Sequence, residues 1–275
     1  LSFNTQGDNE GYGGSTSALE DVAFRDALGY ALDLERLVEA TLAGHGVPGS
    51  TNVPPYHADW HVPPASPRTF DIEEAKRRLD AAGYVLDGSG QRLDKDGEPI
   101  VLRLTWPDSE AENATNAQFF EGWWGELGIG VDAAVTEEGK LLNDLLGPPD
   151  GSADWDVYMW GWVGDPDPMS LLSFFTSDQL GGLNDSFYSD AHYDELFELQ
   201  QRAVDPDERL AYIQEMQEIF YRDAPYHVLY YDSELHAYRT DRFSGWTNQP
   251  PDSGTPLFGY GPIGYTKLVL AAAET

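Results

Sequence analysis

Residues Asp154 to Pro168 spell DWDVYMWGWVGDPDP, and the fold turns on what this stretch does. Trp155, Val157, Met159 and Gly161 alternate with Asp156, Tyr158, Trp160 and Trp162. Nearly every side chain is aromatic or branched, so the pattern predicts a strand from Asp154 to Trp162 covered on both faces. Gly164 and Pro166 end it. Such a strand delivers two indoles and two acids, Asp165 and Asp167, to one edge of a sheet. In open α/β sheets ligands sit at the carboxyl edge, and aromatic walls with a few placed charges suit a small polar ligand. Taken alone, the stretch is a core strand followed by an Asp-Pro turn; its surroundings point further.

Working outward, the preceding residues alternate in kind. A strand is expected from Ile100 to Trp106, a helix from Ala114 to Leu127, a strand from Ile129 to Val135 and a short helix from Leu141 to Leu146. With the strand at Asp154 this β-α-β-α-β order implies parallel strands joined by right-handed crossovers. Further upstream, a helix from about Leu19 to Leu32 follows a Gly- and Ser-rich loop (Gln6 to Ser17). Asp33 caps a second helix that stops at Gly44. Prolines between Val47 and Pro67 make that segment an ordered crossing rather than a helix. Asp71 with Glu74 resembles a capping box for a helix closed by Gly83. Downstream, a helix runs from Ala191 to Ala203, and Asp205-Pro206-Asp207-Glu208 opens another that reaches about Arg222. Ala224 to Ala237 has the composition of a long β segment, and a last strand falls near Leu268. The fold class is α/β, a mixed sheet with a parallel β-α-β core flanked by helices.

Composition narrows the functions. Of 275 residues, 41% are hydrophobic and 13% aromatic, enough for one large core or two modest ones. Lys plus Arg number 16 against 48 Asp plus Glu, a formal charge of -32 that repels phosphate backbones, so nucleic acid is excluded as a partner. The acids are scattered over the chain, as on a solvated surface. High acid with only Lys76, Lys95, Lys140 and Lys267 as lysines fits a salt-tolerant or exported protein. Cysteine is absent, which removes disulfides, thiol catalysis and cysteine zinc sites. No stretch approaches the roughly 18 apolar residues of a membrane span. A first residue Leu1, not Met, suggests that the sequence starts partway through a longer product.

Several constellations carry little. His57 and His61 have the spacing of a helical zinc motif, but Pro54, Pro55, Pro63 and Pro64 bracket them and exclude the helix. Asp165 with Asp167 lacks the other ligands of a calcium loop. With 48 acids, pairs resembling a glycosidase couple arise by chance. No serine triad, phosphate loop or dinucleotide fingerprint stands out, and neither a metal nor a cofactor is expected.

The order of segments resembles the C-terminal half of the family 5 solute-binding proteins, the oligopeptide- and dipeptide-binding receptors of ABC importers. FRDALGYALDLERLVEATLAGHGVPG (Phe24 to Gly49), DIEEAKRRLDAAGY (Asp71 to Tyr84), LGIGVD, DWDVYMWGWVGDPDP, YSDAHYDEL, DPDERLAYIQEMQEIFYRDAPYHVLYY and FSGW carry the match. The resemblance implies two α/β lobes that close on a ligand about a hinge. Residues 1–235 would be lobe II and residues 236–275 a return segment to lobe I, most of which is missing from the sequence. It implies an extracytoplasmic protein, periplasmic or a cell-surface lipoprotein, that hands peptide to an ABC permease and is not an enzyme. Asp165 matches the acid that pairs with the peptide's α-amino group in relatives. Trp162 and Trp160 match the flanking aromatic positions, one expected in the cleft and the other in the core. Asn184 in GGLNDS offers an amide to a peptide backbone, or else shapes a turn. Dipeptide-specific relatives hold the ligand carboxylate with an arginine after the first strand of this lobe. Here that region, TWPDSEAEN, has no Arg or Lys, which favours longer peptides. An oligosaccharide receptor of the same family is the alternative, and a secreted hydrolase a more distant one.

Overall fold

The computed structural model describes residues 1–9, 12–146, 154–165, 167–233, 235–249, 255–256 and 262–270. Pro166, expected to end the central strand, lies outside them. The described chain divides into two compact units, Leu1–Tyr231 and Asp232–Thr275.

In the first unit, β1 (Ser2–Phe3) precedes a 3₁₀ turn and two helices, α1 (Val22–Gly29) and α2 (Leu34–Leu42). A short strand β2 (Gly46–Pro48) opens the proline-rich crossing, which leads to α3 (Ile72–Ala81). Then come β3 (Val101–Pro107), α4 (Asn113–Glu126), β4 (Gly130–Thr136), α5 (Glu138–Leu146) and β5 (Val157–Tyr158). Helices α6 (Met169–Ser173), α7 (Ala191–Arg202) and α8 (Pro206–Asp223) follow. The four-stranded sheet has the order β1-β5-β3-β4. β3 runs parallel to both β4 and β5, and β1 is antiparallel to β5, so the expected parallel core with a mixed edge is present.

The acid-rich composition is put to local use. Asp21, Asp33, Asp71, Asp190 and Asp205 each accept a backbone N–H of the helix that follows, a cap worth about 1 kcal/mol. At Asp71 only half of a capping box forms. Asp71 accepts from Glu74 N at 2.9 Å, but the Glu74 carboxylate goes to Arg77 and Arg78 instead of reaching back. Pro206 takes the first position of α8, where its missing N–H is not needed.

Alternation along β3 and β5 divides the core by face. Leu102, Leu104 and Val157 join Phe3, Phe24, Leu28, Leu79, Phe120 and Trp124 in one cluster with α1, α3 and α4. Tyr158, on the opposite face of β5, joins Trp155, Phe187, Leu141 and Leu145 below α5. A separate cluster, with Leu172, Phe175, Tyr193, Ile213, Met216 and Phe220, binds α6, α7 and α8 together.

Buried arginines pin these layers. Arg25, only 2% exposed, donates to the carbonyls of Leu19, Asp223 (2.7 Å) and Ala224 (3.1 Å). It thereby ties α1 to the carboxyl end of α8, where a cation is favoured. Burial pushes its guanidinium down to about 10, still charged at neutral pH.

The segment Ala224 to Ala237 is less regular than its composition suggests. Regular strand is confined to β6 (Tyr230–Asp232). The residues before it divide their hydrogen bonds: Phe3 N donates to Pro225 O, His227 N to Leu1 O and Gly49 N to Leu229 O. Serving two neighbours in turn prevents one continuous ladder.

The second unit contains β7 (Phe243–Ser244) antiparallel to β10 (Val269–Leu270), and β8 (Asn248–Gln249) antiparallel to β9 (Thr255–Pro256). Trp246 donates its indole N–H to Arg239 O at 3.1 Å and lies against Tyr238. Gly245, at φ +91°, leaves no room for a side chain: a Cβ there would stand 2.4 Å from Lys267 O.

Candidate functional site

The central stretch is a shorter strand than its pattern predicts. β5 pairs only through Val157 and Tyr158, with Leu104 and Thr105 on one side and Phe3 and Ser2 on the other. Flanking bonds from Asn4 N to Asp156 O and from Met159 N to Thr105 O, both 2.9 Å, complete the ladder. Beyond Met159 the chain leaves the sheet. Alternating aromatics therefore continue past the strand because each still packs against something, not because each pairs.

Trp160 and Trp162 both lie past the end of β5 and are half-buried. Their rings meet edge to face at 5.7 Å. Trp160 packs against the cluster of Trp155, Tyr158 and Phe187, so it belongs to the core side. Trp162 stacks on Phe174 at 4.0 Å and donates its indole N–H to the Tyr226 hydroxyl at 3.2 Å.

The two acids that follow differ sharply. Asp167 is engaged twice by Arg209 at 2.7 Å and also caps the start of α6. The hydrogen bonds from Arg209 hold its carboxyl below the usual range. Asp165 is exposed, and its carboxylate has no partner among the described residues. Only its backbone is held, N–H to Ser170 Oγ at 3.4 Å. Its neighbour Val163 is 92% exposed, so the loop tip presents an apolar group and an uncompensated acid together. Gly164 lets this loop approach α6: a Cβ there would stand 2.7 Å from Leu171 Cδ1.

The region after β3 is acidic, as its sequence requires. Asp108 accepts from Glu138 N at 3.3 Å, and Glu110 from the Asn113 amide at 2.7 Å. Burial, with Glu112 and Glu138 nearby, raises the Glu110 carboxyl.

Asn184 takes the turn-forming role. It is 1% exposed, and its amide nitrogen donates to Thr176 O (3.0 Å) and Tyr188 O (2.8 Å) while its oxygen accepts from Ser186 Oγ. With its donors and oxygen committed inside the loop, it has no hydrogen to offer a ligand. The adjacent residue is one that no motif pointed to. Asp185, also 1% exposed, accepts from the Tyr226 hydroxyl on Oδ1, while its buried Oδ2 has no partner among the described residues. Tyr158 donates to the Asp185 carbonyl at 3.3 Å, the same distance at which its oxygen meets that of Tyr226. Burial raises the Asp185 carboxyl to about 6 against the opposing hydrogen bonds. Phe187 follows at φ +54°, a left-handed conformation uncommon for a bulky residue. These partners lie 27 to 41 positions apart in sequence, which hides the cluster from any local pattern.

His57 lies in a bend and His61 just past a turn, both outside any helix or strand, with His61 Nδ1 2.6 Å from Val53 O. Among the described residues no group of three or more His, Asp or Glu side chains is arranged to hold a metal ion.

This architecture, a mixed sheet with a parallel core flanked by helices, is the type II periplasmic-binding-protein fold. Two solved structures share the fold. The oligopeptide-binding protein AppA of Bacillus subtilis, in complex with a nonapeptide, superposes with a TM-score of 0.75 at 23% identity, covering 98% of this chain and 50% of that one. A periplasmic oligopeptide-binding protein of Thermotoga maritima, bound to mannohexaose, gives 0.73 at 18% identity over 91% of this chain and 47% of that one. Residues 1–182 match the bacterial extracellular solute-binding proteins, family 5 middle region, and the chain belongs to that family. Among curated relatives, the oligopeptide-binding protein OppA of Lactococcus lactis is 28% identical over 175 residues, 61% of this chain and 29% of its own length. The chain therefore spans well under half of that relative.

Proposed function

We propose that this chain supplies lobe II of the substrate-binding component of an ABC importer, which captures peptides outside the cytoplasmic membrane. On this proposal residues 1–235 form the lobe and residues 236–275 a return segment to lobe I. Ligand binds between the lobes, the hinge closes, and the joined surface is presented to the permease. The protein performs no chemistry on its cargo and uses no cofactor.

Asp165 carries this proposal. An exposed carboxylate without a partner among the described residues, on the loop that follows Trp162 past a parallel strand, is equipped to receive the ammonium of a peptide's amino terminus. Trp162 walls the site, and Trp160 supports it from the core side. Asn184 stabilises the neighbouring loop. The acids after β3 provide nothing for a ligand carboxylate, which fits peptides whose far end extends away from this lobe.

Calorimetry on the full-length protein with a mixed peptide pool, followed by cellooligosaccharides, tests this. Stoichiometric binding of peptide without product is expected. Heat only with sugars would turn the proposal to the oligosaccharide reading, which the two indoles and the mannohexaose-bound structural neighbour favour. Appearance of cleavage products would replace a receptor by a hydrolase.

A further inference from the structure

The loop that carries Asp165 has one firm anchor. Asp167, two positions further on, accepts from Arg209 of α8 with both carboxylate oxygens, each at 2.7 Å. Among the described residues this is the only ion pair between Met159 and α6. Half-exposed pairs contribute little unless the geometry is bidentate and the side chains are already held, and here Arg209 is held. Its Nε donates to Gln200 Oε1 of α7 at 3.1 Å, its guanidinium carbon lies 4.8 Å from the centre of the Trp60 ring, and its side chain is only 21% exposed. Asp167 passes this anchorage on. Its Oδ1 also accepts from Met169 N at 2.9 Å, at the start of α6, a helix of five residues for which Pro168 supplies no side-chain cap. The next two residues of α6 meet the loop: Ser170 Oγ accepts from Asp165 N, and Leu171 Cδ1 stands 2.7 Å from where a Cβ on Gly164 would be.

We propose that Arg209 is a positioning residue for Asp165: acting through Asp167 and the first turn of α6, it fixes the loop so that one acid, and not its neighbour, meets the amino terminus of a peptide. The fork engages both oxygens of Asp167 and neutralises its charge, which leaves Asp165 as the acceptor with capacity to spare. Lysine is no equivalent here, because its single ammonium cannot supply two parallel N–H donors to Asp167 and a third to Gln200. A loop fixed before binding avoids being ordered by the ligand, a difference of about 3- to 10-fold in affinity for one flexible group. The inference rests on Asp165 receiving the amine, as proposed above.

Two measurements test it. Val163-Gly164 is the only Val-Gly pair in the sequence, so labelling the 275-residue chain with ¹³C′-valine and ¹⁵N-glycine isolates one amide inside the loop. Its order parameter should be about 0.85 in the parent and below about 0.6 in Arg209→Met, with Arg209→Lys in between. An order parameter that is the same in all three overturns the proposal. In the full-length protein, both variants should bind a pool of tetrapeptides with free amino termini about 3- to 10-fold more weakly than the parent. N-acetylated forms of the same peptides should be unaffected. A role in general stability would not single out the free amine, so an equal loss for the two peptide types, or no loss, overturns the proposal. In an Asp165→Asn background, Arg209→Lys should weaken binding no further, and a further loss overturns the route through Asp165. Should Arg209→Met fail to fold, Arg209→Lys carries both measurements. If no peptide binds the parent, the receptor function fails while the Gly164 amide still decides whether Arg209 holds the loop.

Discussion

Asparagine at position 185 removes the charge of the buried carboxyl while keeping its shape, and the consequence for stability can be worked out. The folded carboxyl sits at about 6, against 3.8 for an unperturbed aspartate. A group that holds its proton more tightly when folded favours the fold at low pH. Stability then falls as pH rises between these values, and the penalty is fully present above about 6. Two units correspond to ~3 kcal/mol. The fold bears this cost at neutral pH. Urea unfolding of the parent and Asp185→Asn at pH 7.5 and at about pH 4 reads it directly. Any penalty from the buried asparagine NH₂ is common to both conditions and cancels. The variant should gain roughly 2.5 kcal/mol on the parent between the acid and the neutral measurement, because the unfolded carboxyl is already partly ionised at pH 4. A variant equally destabilised at both would show that Asp185 carries no buried-charge penalty, and the burial argument would be refuted.

Two other outcomes follow from the structure. Arg25→Met leaves the carbonyls of Leu19, Asp223 and Ala224 without their shared donor; with hydrogen bonds to a charged group worth ~1.5–3 kcal/mol each, a loss of at least ~3 kcal/mol in urea unfolding is expected, and a loss under 1 kcal/mol would contradict the pinning role. With a formal charge of -32, self-repulsion opposes folding. Raising NaCl from 0.05 to 1 M shortens the screening length several-fold, so the melting temperature should rise by about 2–4 °C or more for each kcal/mol relieved, whereas a flat or falling curve would contradict self-repulsion as a destabilising force.

Much of this fold could be seen in the sequence because its signals are local. Aspartate caps at Asp33, Asp71 and Asp205, the Pro206 helix start and the composition of the segments that became β3, α4 and β4 all depend on neighbours within a few residues. What lies across the chain was hidden. The Trp155–Trp162 pattern is the same whether an extended aromatic segment pairs in a sheet or merely packs beside it, so a nine-residue strand was expected where two residues pair. Ala224 to Ala237 suffered the same ambiguity. At the candidate site, Asp165 and the two tryptophans are proposed through their resemblance to the family's motif, and Asn184 was read through its turn chemistry. Asp185 was not: beside Asn184 it is one more acid among 48, and only folding brings Tyr158 and Tyr226 to it.

The proposed role of Asp165 is the point on which the peptide reading depends, and one comparison addresses it. Calorimetry on the full-length protein and on Asp165→Asn should use matched peptides with free and with N-acetylated amino termini. Loss of a charge-assisted hydrogen bond, ~1.5–3 kcal/mol, predicts roughly 10- to 100-fold weaker binding of the free-amine peptides. The acetylated peptides should bind both proteins weakly and about equally. Equal losses for the two peptide types, or no loss for either, would contradict amine recognition by Asp165.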